Sequence, residues 1–135
     1  MQVCVFLLGG RLPAVEARHV LEVFNLDDLT PVPTAPSFVI GVAAVRGTIL
    51  PVIDAAPLVG AHARPPRGGD PLLRVGIGDT QAALVAERVL GVRTIDTPPG
   101  GTGEPAGGLV LARGKVPEGE VVVLDLAALF DRARA

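Results

Sequence analysis

Residues 38–54 read FVIGVAAVRGTILPVID. Two apolar runs, Phe38–Val45 and Thr48–Ile53, flank the dipeptide Arg46-Gly47. Short Val- and Ile-rich runs around a two-residue break predict two strands joined as a β-hairpin. Pro51 has no N–H to give a ladder, so it is expected on an edge or facing a gap in the sheet. Asp54, just after the second run, reads as the N-cap of a short helix.

The same pattern extends in both directions. Val3–Leu8 is a strand that ends at Gly9-Gly10. Ala14–Val15 and Val20–Phe24 follow, with a helical turn over Glu16–His19 between them. Pro31, Pro33 and Pro36 make the next stretch extended. Ala61–Pro71 (AHARPPRGGDP) is a polar, Pro/Gly-rich boundary segment. Leu72–Ile77, Gln81–Val85 and Val89–Ile95 are further strands, then a Pro/Gly-rich loop spans Thr97–Gly108. Leu109–Ala112 and Val121–Leu124 complete the strands. Asp125–Ala133 reads as a terminal helix, capped by Asp125, with Leu126, Leu129 and Phe130 on one face.

An internal repeat organises these elements. Gly9–Val23 matches Gly78–Val92 at an offset of 69 residues, pairing Val20-Leu21 with Val89-Leu90 and Val23 with Val92. Further on, Val45-Arg46-Gly47 matches Ala112-Arg113-Gly114, and Val52–Leu58 matches Val123–Leu129. Two similar β lobes follow from this, with a boundary near residues 61–71. Lobes that small bury little alone, so they are expected to share a core.

Composition narrows the function. The 135 residues carry a formal net charge of −2, with 49% hydrophobic and 3% aromatic residues. No Trp or Tyr offers a base-stacking platform, and no basic face is available, which argues against a nucleic-acid partner. No apolar run reaches the roughly 18–20 residues of a membrane span. Met1–Leu8 has no basic leader, so no signal peptide is expected. One cysteine, Cys4, cannot form an internal disulfide and fits a reducing cytoplasm. Cys4 reads as a small buried hydrophobe.

The parts of an enzyme are scarce. His19 and His62 have no metal-ligand spacing around them. Gly114-Lys115 lacks the Ser/Thr and the earlier Gly of a P-loop. Gly101–Ala106 fits G-x-G-x-x-A but follows Pro98-Pro99 instead of a strand. Asp54 and Asp125 read as helix caps rather than a carboxylate pair. No catalytic residue, metal or cofactor is expected. A polar-lined pocket with convergent titratable groups would instead favour a small enzyme or ligand-binding barrel. Arg46 stands out: at a strand–turn junction, it is either a solvated turn residue or a paired one that holds the turn. Glu22, read as lying on the polar face of its strand, is its natural partner.

The stretch Leu29–Asp54 resembles the central signature of CheW-like domains: a TPVP-x-AP segment, a hydrophobic strand, an NLRG-type turn and a PVID-type strand. Gly10–Val23 looks like the entry segment of that family, Ala83–Val92 like its second-lobe strand pair, and Val121–Leu129 like its closing L-L-D-L-x-x-L. The resemblance spans nearly the whole chain, 1–135, as one domain. It implies an all-β fold with a small terminal helix: two five-stranded SH3-like β-barrels packed around a shared core. It also implies a non-catalytic, cytoplasmic adaptor, recruited to receptor arrays, that couples the cytoplasmic tip of chemoreceptors to the regulatory domain of a CheA-type histidine kinase. By position, Glu22 and Arg46 match a family pair near the receptor-facing groove. Val20, Val23, Val42, Gly47, Val89 and Leu90 fall in the family's partner-contacting segments. The chain departs from the pattern at Pro13, Glu16, Ala44 and Glu87. Those departures raise the alternative of an auxiliary adaptor that keeps one partner, in a gliding or pilus-linked pathway.

Overall fold

A computed structural model describes residues 1–32, 36–96 and 108–134, with residue 134 described in its backbone only. Ten strands and one α-helix follow one another in the chain. They are β1 (Gln2–Leu7), β2 (Leu12–Glu16), β3 (Val20–Asn25), β4 (Val39–Val45), β5 (Thr48–Ile53), β6 (Pro71–Ile77), β7 (Thr80–Val85), β8 (Arg88–Thr94), β9 (Val110–Val116), β10 (Gly119–Leu124) and α1 (Leu126–Arg134). Single 3-10 turns cover Ala17–His19 and Ala56–Leu58. The strands form two five-stranded sheets, ordered β8-β1-β2-β10-β9 and β3-β6-β7-β5-β4.

The ladders carry the repeat in register. Cys4 faces Val15 on β2 and Val92 on β8, while Leu73 faces Leu84 on β7 and Val23 on β3. Both outer ladders slip at the same place, between Val5 and Phe6 in one sheet and between Val20 and Glu22 in the other. Both sheets also contain one parallel pair, β10 with β2 and β5 with β7.

The sheets do not coincide with the sequence halves. The first sheet takes β1 and β2 from the first repeat and β8, β9 and β10 from the second; the other sheet takes the remainder. The segment near 61–71 therefore separates the repeats along the chain but does not separate the two sheets in space. Nor does either sheet close into a full barrel. Among the described residues no ladder joins β8 to β9 or β3 to β4, so a seam stays open in each.

Strand β1 shows how the exchange is stabilised. Val3 and Val5 enter a core internal to the first sheet, with Leu12, Ala14, Val121 and Val123. Cys4, Phe6 and Leu8 point the other way, into a larger core with Leu73, Val75, Leu84, Leu129 and Phe130. A strand buried on both faces needs apolar residues throughout, which explains the unbroken VCVFL run. Full burial of a side chain such as Phe6 or Leu73 is worth about 2 kcal/mol. Burial also raises the Cys4 thiol pKa.

Helix α1 begins as the sequence predicts. Asp125 Oδ1 accepts the Ala128 N–H at 3.1 Å, and the Asp125 carbonyl accepts the Leu129 N–H. Asp54 does similar work at the matching place in the first repeat, with Oδ1 accepting the Ala56 N–H at 2.9 Å. Pro51 lies in an internal strand, but its parallel neighbour joins only from Val52 onward, so its missing donor meets the gap. Strand β9 runs further than expected, to Val116, so Ala112-Arg113-Gly114 lie inside it and the turn that answers Arg46-Gly47 is Pro117-Glu118, not Arg113-Gly114. The loop expected over Thr97–Gly108, and with it the Gly101–Ala106 string, falls on residues 97–107, outside those described.

The segment joining the repeats is fastened down. Arg64 grips Asp70 with both terminal nitrogens at 2.8 Å, and the Arg67 N–H donates to the same carboxylate. The hydrogen bond from Arg64 leads over partial burial and holds the Asp70 carboxyl at about 2. A lowered folded-state pKa gives stability that is present above the ordinary carboxylate value and lost as pH falls through the folded one. Asp70→Asn should therefore lower the urea midpoint at pH 6, with the difference from wild type closing between about pH 4 and pH 2. Close backbone approach supplies a second test. A Cβ on Gly41 would sit 2.9 Å from Leu29 Cδ1 and collide with the Thr30 carbonyl, which bonds the Val42 N–H. Gly41→Ala should cost at least about 2 kcal/mol in chemical denaturation, because backbone must move to admit it.

Candidate functional site

Strand β3 is an edge strand, and its side chains alternate. Val20, Glu22 and Phe24 are half-buried, while Leu21 and Val23 are about half exposed, at 52% and 49%. The slip between Val20 and Glu22 turns Glu22 to the face opposite Val20, beside Arg74 and Gln81 and only partly exposed, while the exposed side chains of β3 next to it, Leu21 and Val23, are apolar. Such a placement suits an edge strand whose inner neighbour can supply a charge partner.

Two arginines supply it. Arg74 on β6, with only 15% of its side chain exposed, donates from Nη1 to Glu22 Oε1 at 3.1 Å. Arg46, 75% exposed, reaches Glu22 Oε2 from Nε and Nη2, each at 3.2 Å. Arg74 Nε also donates to Gln81 Oε1 at 2.8 Å. Partial burial pushes the Glu22 carboxyl up, but hydrogen bonds from Arg74 and Arg46 and their charges outweigh it. The net result lies below the ordinary carboxylate range. The expected Glu22–Arg46 pair is thus formed, with a third member that sequence reading missed.

The pair clasps the open seam of the second sheet, since Glu22 is on edge strand β3 and Arg46 in the hairpin turn beyond edge strand β4. A groove of about 220 Å³ lies along that seam, lined by Phe24–Asp27 and Ala43–Arg46. The first sheet has a counterpart of reversed sign. There Arg93 on β8 binds Glu118, in the β9–β10 turn, at 2.9 and 3.3 Å.

The turn that presents Arg46 works against its own residue type. Arg46 has φ +50° and Gly47 φ +81°, the combination of a type I′ hairpin turn. That first position favours Asn, Asp or Gly, and a longer side chain there costs about 1 kcal/mol. Arg46 is the one described non-glycine residue with positive φ.

The remaining expected positions divide. Val23 and Gly47 are exposed, on the same sheet as the pair. Val42 is half-buried, and its backbone N–H and C=O are both bonded to Thr30. Val89 and Leu90 lie on β8 of the other sheet; Val20 and Val89 pack on the large core, Leu90 on the smaller one. Exposed Ile49 and Val92, at 64% and 54%, were not singled out from sequence. Val92 was findable, because it is the repeat image of Val23. Of the four departures, Pro13 is buried in β2, Ala44 lines the groove, and Glu16 pairs with Arg18 at 2.7 Å. Glu87, between β7 and β8, accepts a hydrogen bond from the Gly9 N–H in the β1–β2 turn.

Among the described residues no group of His, Cys, Asp or Glu could hold a metal ion, and no helix is long and apolar enough to cross a membrane. Of the residues that line the groove, Asp27 and Arg46 are titratable, and Arg46 is taken up by Glu22. The arrangement is that of a β-sheet binding module, with charged and apolar groups displayed on strand edges.

The sequence model of the CheW-like domain matches residues 2–134. The chain belongs to the CheW-like domain family, whose members are non-catalytic scaffold and adaptor proteins. It is 40% identical over 92 residues to protein FrzA of Myxococcus xanthus, covering 67% of this chain and 56% of that one. Protein PilI of Pseudomonas aeruginosa is 33% identical over 88 residues, covering 65% and 49%. A chemotaxis protein CheW of Rhizobium meliloti is 26% identical over 94 residues, covering 70% and 61%. The matches thus span about half to three fifths of those relatives. The crystal structure of the scaffolding protein TtCheW from Thermoanaerobacter tengcongensis superposes with a TM-score of 0.72 at 26% identity, covering 92% of this chain and 88% of that one.

The strained turn yields a test of why Arg46 is kept. Arg46→Asn relieves the left-handed backbone and removes only an exposed ion pair. Its melting temperature should rise by about 1–3 °C. A fall would mean that the arginine serves the fold.

Proposed function

We propose that this chain is a cytoplasmic adaptor of a chemosensory complex that couples chemoreceptor cytoplasmic tips to the regulatory domain of a CheA-type histidine kinase. The observation that carries the reading is Arg46: an exposed guanidinium, held by Glu22 in a turn that disfavours arginine, at the seam of an edge-strand surface. With exposed Val23 and Gly47 it forms the surface that takes the receptor tip, and half-buried Val20 and Val42 back that surface. Val89 and Leu90, on the other sheet, belong to the surface that takes the kinase. The separation of these two groups on different sheets supports a bridging role. Contacts of this size are individually weak and gain strength when an array presents many at once.

A second reading has its own support. Two of the relatives, FrzA and PilI, do not carry the CheW name. Ala44 also replaces the family's asparagine beside the critical turn. Both favour an auxiliary CheW-like adaptor, serving a gliding or pilus-linked pathway and retaining one partner.

Reconstitution distinguishes the readings. Wild-type protein should bind both a receptor-tip fragment and the kinase regulatory domain from the same organism, and should raise receptor-dependent kinase activity. Arg46→Ala should cut receptor affinity about tenfold while kinase binding and the melting temperature hold. Binding to one partner alone would select the auxiliary role. Loss of melting temperature with intact receptor affinity would make Arg46 structural.

A further inference from the structure

The repeat permits a comparison inside one molecule. Arg74 on β6 stands where Val5 stands on β1, Gln81 where Leu12 stands on β2, and Glu22 where Gly91 stands on β8. The ladder pair Glu22–Arg74 is the image of Gly91–Val5. In the first sheet Val5 is fully buried and Leu12 nearly so, both in the inner core. In the second sheet the same places hold a hydrogen-bonded polar network. A sheet of this geometry therefore forms without such a network, and replacing an enclosed ion pair by apolar residues is often neutral or stabilising. Packing does not account for Arg74.

Its geometry does. Arg74 is the shielded member of the network and Arg46 the exposed one. Arg74 Nε is fixed by Gln81, and its Nη1 takes Glu22 Oε1, leaving Oε2 turned to Arg46. The planar fork of an arginine can hold two acceptors in fixed relation, which an ammonium cannot. The Glu22 carboxylate is thereby locked in rotation and offers a fixed seat to the outer guanidinium.

We propose that Arg74 is a positioning residue for the partner contact, acting through Glu22 to hold Arg46 in its presenting orientation. This rests on Arg46 as a receptor contact. The network then makes the two repeat-related seams unlike, so that only the second sheet presents an arginine from its hairpin turn.

The test uses the full chain, with Arg74→Met, Arg74→Lys, Arg46→Ala and the Arg46→Ala/Arg74→Met double variant. Two quantities are read: the Arg46 Nε–Hε NMR order parameter, and affinity for the receptor-tip fragment. Arg74→Met should keep the melting temperature, lower the Arg46 order parameter towards that of a freely rotating side chain, and weaken receptor binding about fivefold. Arg74→Lys, which keeps the charge, should restore only part of both. The double variant should bind no worse than Arg46→Ala, because both changes act on one contact. An unchanged Arg46 order parameter in Arg74→Met overturns the proposal, as does full additivity in the double variant. If Arg46→Ala binds the receptor normally, the receptor reading fails instead, and the order parameter alone decides whether Arg74 positions Arg46.

Discussion

Strand β1 must be apolar on both faces, because one face fills its own sheet and the other meets the opposite sheet. The rest of the fold follows from this double burial. Each repeat contributes two strands to one sheet and three to the other, so neither sheet is complete without both halves of the chain. The large core joins residues of β1, β6, β7, β10 and α1. With few aromatics, the interior is filled mostly by Val, Leu, Ile and Ala, which suit small curled sheets whose inner space is narrow. The segment between the repeats joins β5 to β6 within one sheet, and a bidentate ion pair holds its path.

Exchange of strands also determines where function can lie. Interior strands are mostly occupied on both faces, so edge strands, hairpin turns and the strand ends beside them hold most of the exposed groups. Those edges are β3 and β4 in one sheet, β8 and β9 in the other. Each seam is drawn together by an arginine–carboxylate pair, but with opposite polarity: an arginine comes from the turn in one sheet and a glutamate in the other. The two seams therefore differ in charge although the repeat relates the sheets that carry them. The polar network of Glu22, Arg74 and Gln81 deepens that difference at a site where its counterpart is apolar.

Much of this was legible in the chain. Hairpin spacing placed β4 and β5, and the capping aspartate placed α1. The offset of 69 residues anticipated the matching ladders of β1, β2 and β3 with β6, β7 and β8, down to the shared slip in the outer strand, whereas the β4–β5 and β9–β10 ladders match at 71. Glu22 was named as the partner of Arg46 from local pattern alone. Arg74 escaped notice because an arginine inside an apolar strand looks like an ordinary outward residue until the strand's neighbours are known. Its signal was present: the repeat sets it on Val5.

The sequence by itself determined the elements, their repeat and the pairing preference of the exposed turn, since these depend on side-chain type and spacing over a few residues. Tertiary structure alone decided that the repeats exchange strands, that the boundary segment separates no lobes, and that the sheets stay open at one seam each. It also decided that the exposed side chains of β3 beside Glu22 are apolar while Glu22 turns to Arg74. These outcomes depend on which strands become neighbours across dozens of residues. Pattern within a strand gives its two faces, and only the packing of distant strands says which face is inside.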